Sequence, residues 1–357
     1  MKQRIVLVAI TVLVAGGIGI LVGRAGQPAA AEASSDVAST PPEDGRTAPR
    51  TPASATTGRA VVATSAPLPP LDAPLAQIHG ELRRRAAAGQ AGAACRLAAE
   101  HERCEMERQH LRAVVSQVEH LDSATCRDRD RIPSEALQHR ARMRIQVETQ
   151  VREKTASVAQ CDAAPPLSPE ARARYWRQAA LAGHVPAMRH YASGNGFRWH
   201  DLMDALPALQ TYRREAEGIA RRAALEGDAA SAYALAMAYI DGGGHWRSFL
   251  AQSVTPDLSQ ALAWFSVLSR HPDITRLPPE HPAARSVSQH LATLQAAASP
   301  SESAQADALA RTAGIPAASS DEPTEMLLRP DGGIGDIAPV ACGQTRATAG
   351  EPARART

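Results

Sequence analysis

The apolar pattern changes character several times along the chain. Ile5 to Gly23 runs for nineteen residues without a charge, behind Lys2 and Arg4. A membrane-crossing helix needs about 20 apolar residues, more than the 7–15 or so of a signal peptide's apolar stretch. The run predicts one transmembrane signal anchor over 1–24. The positive flank sets the N-terminus in the cytoplasm and the body outside it. Ala31-Glu32-Ala33 has the small-x-small form of a cleavage site, so a removed signal is the competing reading; either exports the body. Over 25–74, Ala, Pro, Ser and Thr supply 33 of 50 residues, with no aromatic and no Cys. Such a stretch buries too little apolar surface to offset its ordering entropy and predicts a disordered linker.

Helical spacing begins near Leu75. Leu97, Cys104, Leu111 and Val118 recur every seventh residue, and Val114, Val115 and Leu121 widen the stripe. The spacing predicts a helix ending at Asp122-Ser123, then an exposed turn over Cys126–Arg131. Pro133-Ser134-Glu135 opens a further helix to about Gln160, with Met143, Val147, Val151 and Val158 on one face. This makes 75–167 a helical region carrying four of the five cysteines.

From Ser168 a unit repeats. Ser168-Pro169-Glu170 is an N-cap residue followed by Pro at the first helical position. Ala179-Ala180-Leu181-Ala182-Gly183, then Ala187 and Tyr191, is echoed by Ala223-Ala224-Leu225-Glu226-Gly227, then Ser231 and Leu235, with the glycines 44 positions apart. A period of that size marks a helical repeat array. Each unit predicts a helix closed by Gly, then a second helix closed by a Gly-rich turn. A third runs over Leu258–Arg270 and about Pro282–Ala297. No stretch alternates with period two, so no sheet is expected. After Ser299 the chain is Ala/Ser/Pro/Gly-rich without aromatics, which predicts a disordered tail over 299–357.

The unit resembles the Sel-1-like repeat family, relatives of the tetratricopeptide repeats. Tyr175 and Trp176 fill the family's aromatic pair, followed by Ala179, Ala180, Gly183 and Ala187. In the next copy Ala216, Ala223, Ala224, Gly227, Leu235 and Tyr239 fit, while Ile219 and Ala220 depart from the aromatic pair. The third keeps Ala261, Trp264 and Phe265 without the Ala-Ala-x-x-Gly segment. Ala86, Gly89, Ala93 and Leu97 form a degenerate copy, with Arg85 in place of an Ala. The resemblance covers 168–298 well and 75–167 weakly. It implies an all-α protein, an α/α solenoid of helical hairpins, and adaptor or scaffold roles.

Composition narrows the functional classes. All twelve aromatic residues lie between Tyr175 and Phe265, which places the best-packed core there. A net charge of +2 gives no electrostatic reason to expect nucleic acid. Cys95, Cys104, Cys126 and Cys161 are the disulfide candidates expected in an exported protein, with Cys342 left over, free or intermolecular. Cys95 and Cys104 on one helix would stand about 13 Å apart, too far to bridge. An antiparallel hairpin turning near Asp128 could bring Cys95 to Cys161; the connectivity stays open. His101 and Cys104 lie near Glu100, Glu105 and His110, but the chain lacks the compact Cys-x-x-Cys spacing of zinc sites, and no metal or cofactor is expected. Asp331-Gly332-Gly333-Ile334-Gly335-Asp336 has no strand before it and no helix after it, so it is not read as a phosphate loop. Glu100, Glu102, Glu105 and Glu107, interleaved with Arg103 and Arg108, read as a surface charge lattice. Trp199-His200-Asp201 reads as a packed loop at a repeat junction. Trp176, Tyr191, Tyr239, Trp264 and Phe265 read as core.

The expected protein is a single-pass inner-membrane protein whose body lies outside the cytoplasm and binds an envelope protein or peptide. No catalytic residue and no small-molecule ligand are nominated. The alternative is an envelope enzyme, or an inhibitor of one, acting on peptidoglycan or peptides; a purely structural spacer is a third possibility. An enzyme requires carboxylates or His converging in a cleft.

Overall fold

The computed structural model describes residues 66–128, 131–240, 248–314 and 335–343. The anchor read at 1–24 and most of the linker lie outside them. Among the described residues no helix is long and apolar enough to cross a membrane, and every regular element is helical.

The helices are α1 (Leu75–Ala87), α2 (Ala91–Asp128), α3 (Ser134–Asp162), α4 (Pro169–Leu181), α5 (Val185–Ala192), α6 (Leu206–Leu225), α7 (Ala229–Tyr239), α8 (Leu258–Leu268), α9 (Pro272–Thr275), α10 (Pro282–Ala297) and α11 (Pro300–Ala313). Short 3-10 turns occupy Trp199–Ala205 and Pro339–Gly343. From α4 to α8 each helix packs on the next, α8 also meets α10 and α11, and α2 joins α1, α3 and α4. Trp176, Ala179, Ala180, Ala187, Ala223, Ala224, Leu235, Tyr239 and Trp264 are all buried in one core, with Tyr191 and Phe265.

The repeated Ala-Ala-x-x-Gly has a direct backbone meaning. Gly183 has φ +85° and Gly227 φ +93°, the left-handed region that side chains disfavour. At the first, Gly183 N–H donates to Ala180 O (3.0 Å) and His184 N–H to Ala179 O (3.1 Å). At the second, Gly227 N–H donates to Ala224 O and Asp228 N–H to Ala223 O, both at 3.1 Å. This is the paired helix-ending motif that satisfies orphan carbonyls. The two alanines thus supply the accepting carbonyls as well as small side chains for close packing. The residue after each Gly caps the next helix: His184 Nδ1 accepts from Ala187 N–H, and Asp228 Oδ1 from Ser231 N–H (2.7 Å). Gly227→Ala should cost about 1–2 kcal/mol, since an L side chain there pays the left-handed penalty. Thermal melts should register it as a fall of about 2–8 °C; an unchanged melt would refute this reading of the motif.

Several expectations are corrected. α2 does not stop at Ser123 but runs to Asp128, and α3 returns antiparallel to it. Asp122–Arg144 (2.6 Å), Glu107–Lys154 (2.9 Å) and Arg108–Asp162 (2.8 Å) pair across that hairpin. Residues 300–313, assigned to the tail, form α11, because Ser299 and Glu302 make a reciprocal capping box ahead of buried Ala306 and Ala310. The end of the presumed linker is bound: Arg85 donates to Pro67 O (2.8 Å) and Gln90 to Ala66 O (3.1 Å).

The cysteine assignment also changes. The bridges are Cys104–Cys161 and Cys95–Cys342, each with a Cα–Cα distance of 5.5 Å. Cys126 is exposed and unpaired, so it leaves the candidate set and Cys342 enters it. With the turn after Asp128, Cys104 rather than Cys95 lies opposite Cys161. Cys95 sits where 339–343 crosses α2, and His184 Nε2 lies 3.1 Å from the Cys342 carbonyl.

Candidate functional site

The α2 face carrying Glu102 and Glu105 is covered by α4, α5 and the 3-10 turn after Phe197. Arg172 on α4 is buried at its centre. Its Nη1 lies 3.0 Å from Glu105 Oε2 and its Nη2 2.8 Å from Asp201 Oδ2. Its Nε donates to Gly196 O (3.3 Å) and stands 3.7 Å from Glu102 Oε1. That Glu102 oxygen accepts from Trp176 Nε1–H (2.9 Å). Glu102 Oε2 lies 2.9 Å from His190 Nε2, but out of line for a hydrogen bond, so both atoms remain unsatisfied. His190 lies over the Trp176 ring with centroids 4.0 Å apart. Arg198 grips Asp336 with both terminal nitrogens (3.3 and 2.9 Å) and reaches to 3.5 Å from Glu102 Oε2.

The turn departs from helical geometry at Asp201 (φ −121°, ψ 15°). This break lets two successive side chains enter the network, His200 against α2 and Asp201 against α4. His200 Nε2 lies 2.7 Å from Glu105 Oε1, while Asp201 holds Arg172. Asp201 Oδ1 is buried without a partner. Beside this network opens a cleft of about 470 Å³, whose lining combines His101, Glu105, Arg108, Arg172 and Asp201 with a proline-rich stretch at 165–167. Burial is the main cause that pushes the His101 imidazole down to about 4; the neighbouring His79, Arg108 and Arg172 add to it. His101 is therefore neutral near pH 7.

The surface-lattice reading of the α2 carboxylates is corrected here. Glu100 and Glu102 are buried; Glu100 holds Arg96 (2.6 Å) and Arg103 (2.8 Å). The Trp199-His200-Asp201 segment is only partly packed. Asp201 is tucked against Arg172, whereas Trp199 is 66% and His200 57% exposed. Trp199 stacks on Phe249 at 5.0 Å, and Met203 on the same turn is 75% exposed. No sequence motif links Glu105, Arg172 and Asp201. The one available signal was an Arg at a helix position otherwise spaced for core.

None of the family models, curated proteins or solved structures compared with the chain matches it.

Proposed function

We propose that this is an exported, membrane-tethered helical-repeat protein of the Sel-1-like kind, a short α/α solenoid that binds another protein in the cell envelope. The uncharged run at 5–23 supports the tether, and two disulfides fit an oxidising compartment. The observation that carries the binding role is the pair Trp199 and Met203, 66% and 75% exposed, flanking the cleft residue Asp201. Trp and Met are enriched at interface centres, where truncating one anchor commonly costs about 2 kcal/mol or more. A photo-cross-linker at position 203 of the full chain, in cells, should give a discrete protein adduct. Trp199→Ala should weaken that capture about 30-fold. An adduct pattern indifferent to Trp199→Ala would sink the proposal.

The convergence of Glu105, Asp201, His101 and Arg172 on one cleft favours a second reading, an envelope enzyme acting on peptidoglycan or peptides. The same strain set separates the two: Glu105→Gln leaves capture intact for a binding protein and abolishes turnover for an enzyme.

A further inference from the structure

We infer that α1 and the start of α2 form a groove for an extended proline-rich segment of another polypeptide, occupied at rest by the chain's own residues 66–71. Those residues read Ala66-Pro67-Leu68-Pro69-Pro70-Leu71. Proline fixes φ near about −65° and pushes the residue before it to an extended conformation. The run is therefore built for a polyproline-type path without internal hydrogen bonds, and 66–70 carries neither helix nor strand. Pro67, Pro69 and Pro70 have no N–H, so what the segment offers a neighbour is mainly carbonyls.

The surface beneath answers with donors. Arg85 Nη1 donates to Ala66 O (3.2 Å) and Pro67 O (2.8 Å), and Gln90 Nε2 to Ala66 O (3.1 Å). Arg96 Nη2 donates to Pro70 O and Leu71 O, both at 3.4 Å. Residues outside the segment set these donors in place. Glu81 pairs with Arg85 along α1. Arg96 is only 2% exposed, and its Nε lies 2.6 Å from Glu100 Oε1, while Arg103 holds the other oxygen of Glu100 at 2.8 Å. Glu100 thus balances the charge of a buried guanidinium and leaves its Nη2 for carbonyls. A buried N–H without an acceptor is costly, so this surface calls for an occupant of that kind. Room for a side chain is built in as well. Gly92 faces Leu68, and a Cβ there would stand 3.5 Å from Leu68 Cδ1 and 2.9 Å from the Cys342 carbonyl.

The hold is light and tolerant of sequence. The hydrogen bonds go to main-chain oxygens, which any proline-rich segment presents, and Leu68 supplies the side chain packed against the core. Ala66, Pro67, Pro70 and Leu71 are exposed. Recognition of extended proline-rich segments commonly relies on their preformed conformation. Here guanidinium and amide donors take the place of aromatic walls. Residues 66–71 act as an internal competitor that an incoming segment displaces. The groove uses none of the residues of the Trp199 and Met203 surface.

The test uses the full chain in detergent and a fluorescein-labelled peptide of residues 65–72, followed by anisotropy. Leu68→Asp in the chain frees the groove, and that chain is expected to bind the peptide saturably. The parent should bind it at least about 10-fold more weakly, because its own segment competes at high effective concentration. A peptide with the same leucine changed to Asp should not bind. In the freed chain, Arg85→Ala and Gln90→Ala together should weaken binding about 10-fold or more, whereas Arg214→Ala on α6 should leave it unchanged. Circular dichroism checks each variant. If Leu68→Asp fails that check, Pro67→Gly, which loosens the exposed end of the segment, takes its place. Absence of saturable binding to the folded, freed chain would overturn the assignment. So would equal affinity of parent and freed chain, or affinity indifferent to the loss of Arg85 and Gln90.

Discussion

Arg172→Met should destabilise the protein by about 3–5 kcal/mol, the usual result of breaking a buried ion pair from one side. The methionine fills much of the volume, so the loss is electrostatic. Glu105 and Asp201 would lose a partner at 3.0 and 2.8 Å, and the Gly196 carbonyl its donor at 3.3 Å. Glu102, 3.7 Å away, would keep only Trp176, His190 and the more distant Arg198 around it. Thermal melts should fall by about 6–20 °C. Adding Glu105→Gln and Asp201→Asn to the same chain should restore part of the loss, because neutral amides tolerate a missing guanidinium. A coupling of about 1 kcal/mol or more between the sites is expected. A variant that melts like the parent, or strict additivity, would show that the network is not formed.

The second large effect concerns the cysteines. Cys104–Cys161 closes a separation of 57 residues and Cys95–Cys342 one of 247. On the chain-entropy scale such loops correspond to about 4 and 5 kcal/mol of stabilisation. Replacing Cys95 and Cys342 together by Ser should therefore lower stability by several kcal/mol, about 3–5. It should also free the 339–343 turn from α2. Without reductant, alkylation and peptide mapping should label Cys126 alone; with reductant and denaturant, all five cysteines. A label at Cys342 in the unreduced protein would refute the pairing.

What sequence reveals and hides here follows the range of the interaction. Ser168-Pro169 as a helix start and Gly183 and Gly227 as helix ends are local devices, and each is readable from its neighbours. Ser299-Pro300 with Glu302 carries the same start signal as Ser168-Pro169. Composition points the other way, since an Ala- and Ser-rich stretch reads as disorder unless the cap is given priority. The buried charge network is different in kind. Glu102, Glu105, Arg172, His190 and Asp201 come from four elements, and alternating Glu and Arg on α2 looks identical whether water or another helix covers it. Only the docking of α4 and the 199–205 turn decides that. The Cys95–Cys342 pair is further still from local signals, because its position depends on where the chain returns after 314.

That last bond has a consequence for the chain's resistance to damage. It ties residue 95 to residue 342 and so encloses α3 through α11 and the buried charge network in one covalent ring. A single proteolytic cut anywhere between those residues severs the backbone without releasing a fragment. The two halves stay joined, their helices remain at high effective concentration, and the break is silent until the sulfurs are reduced.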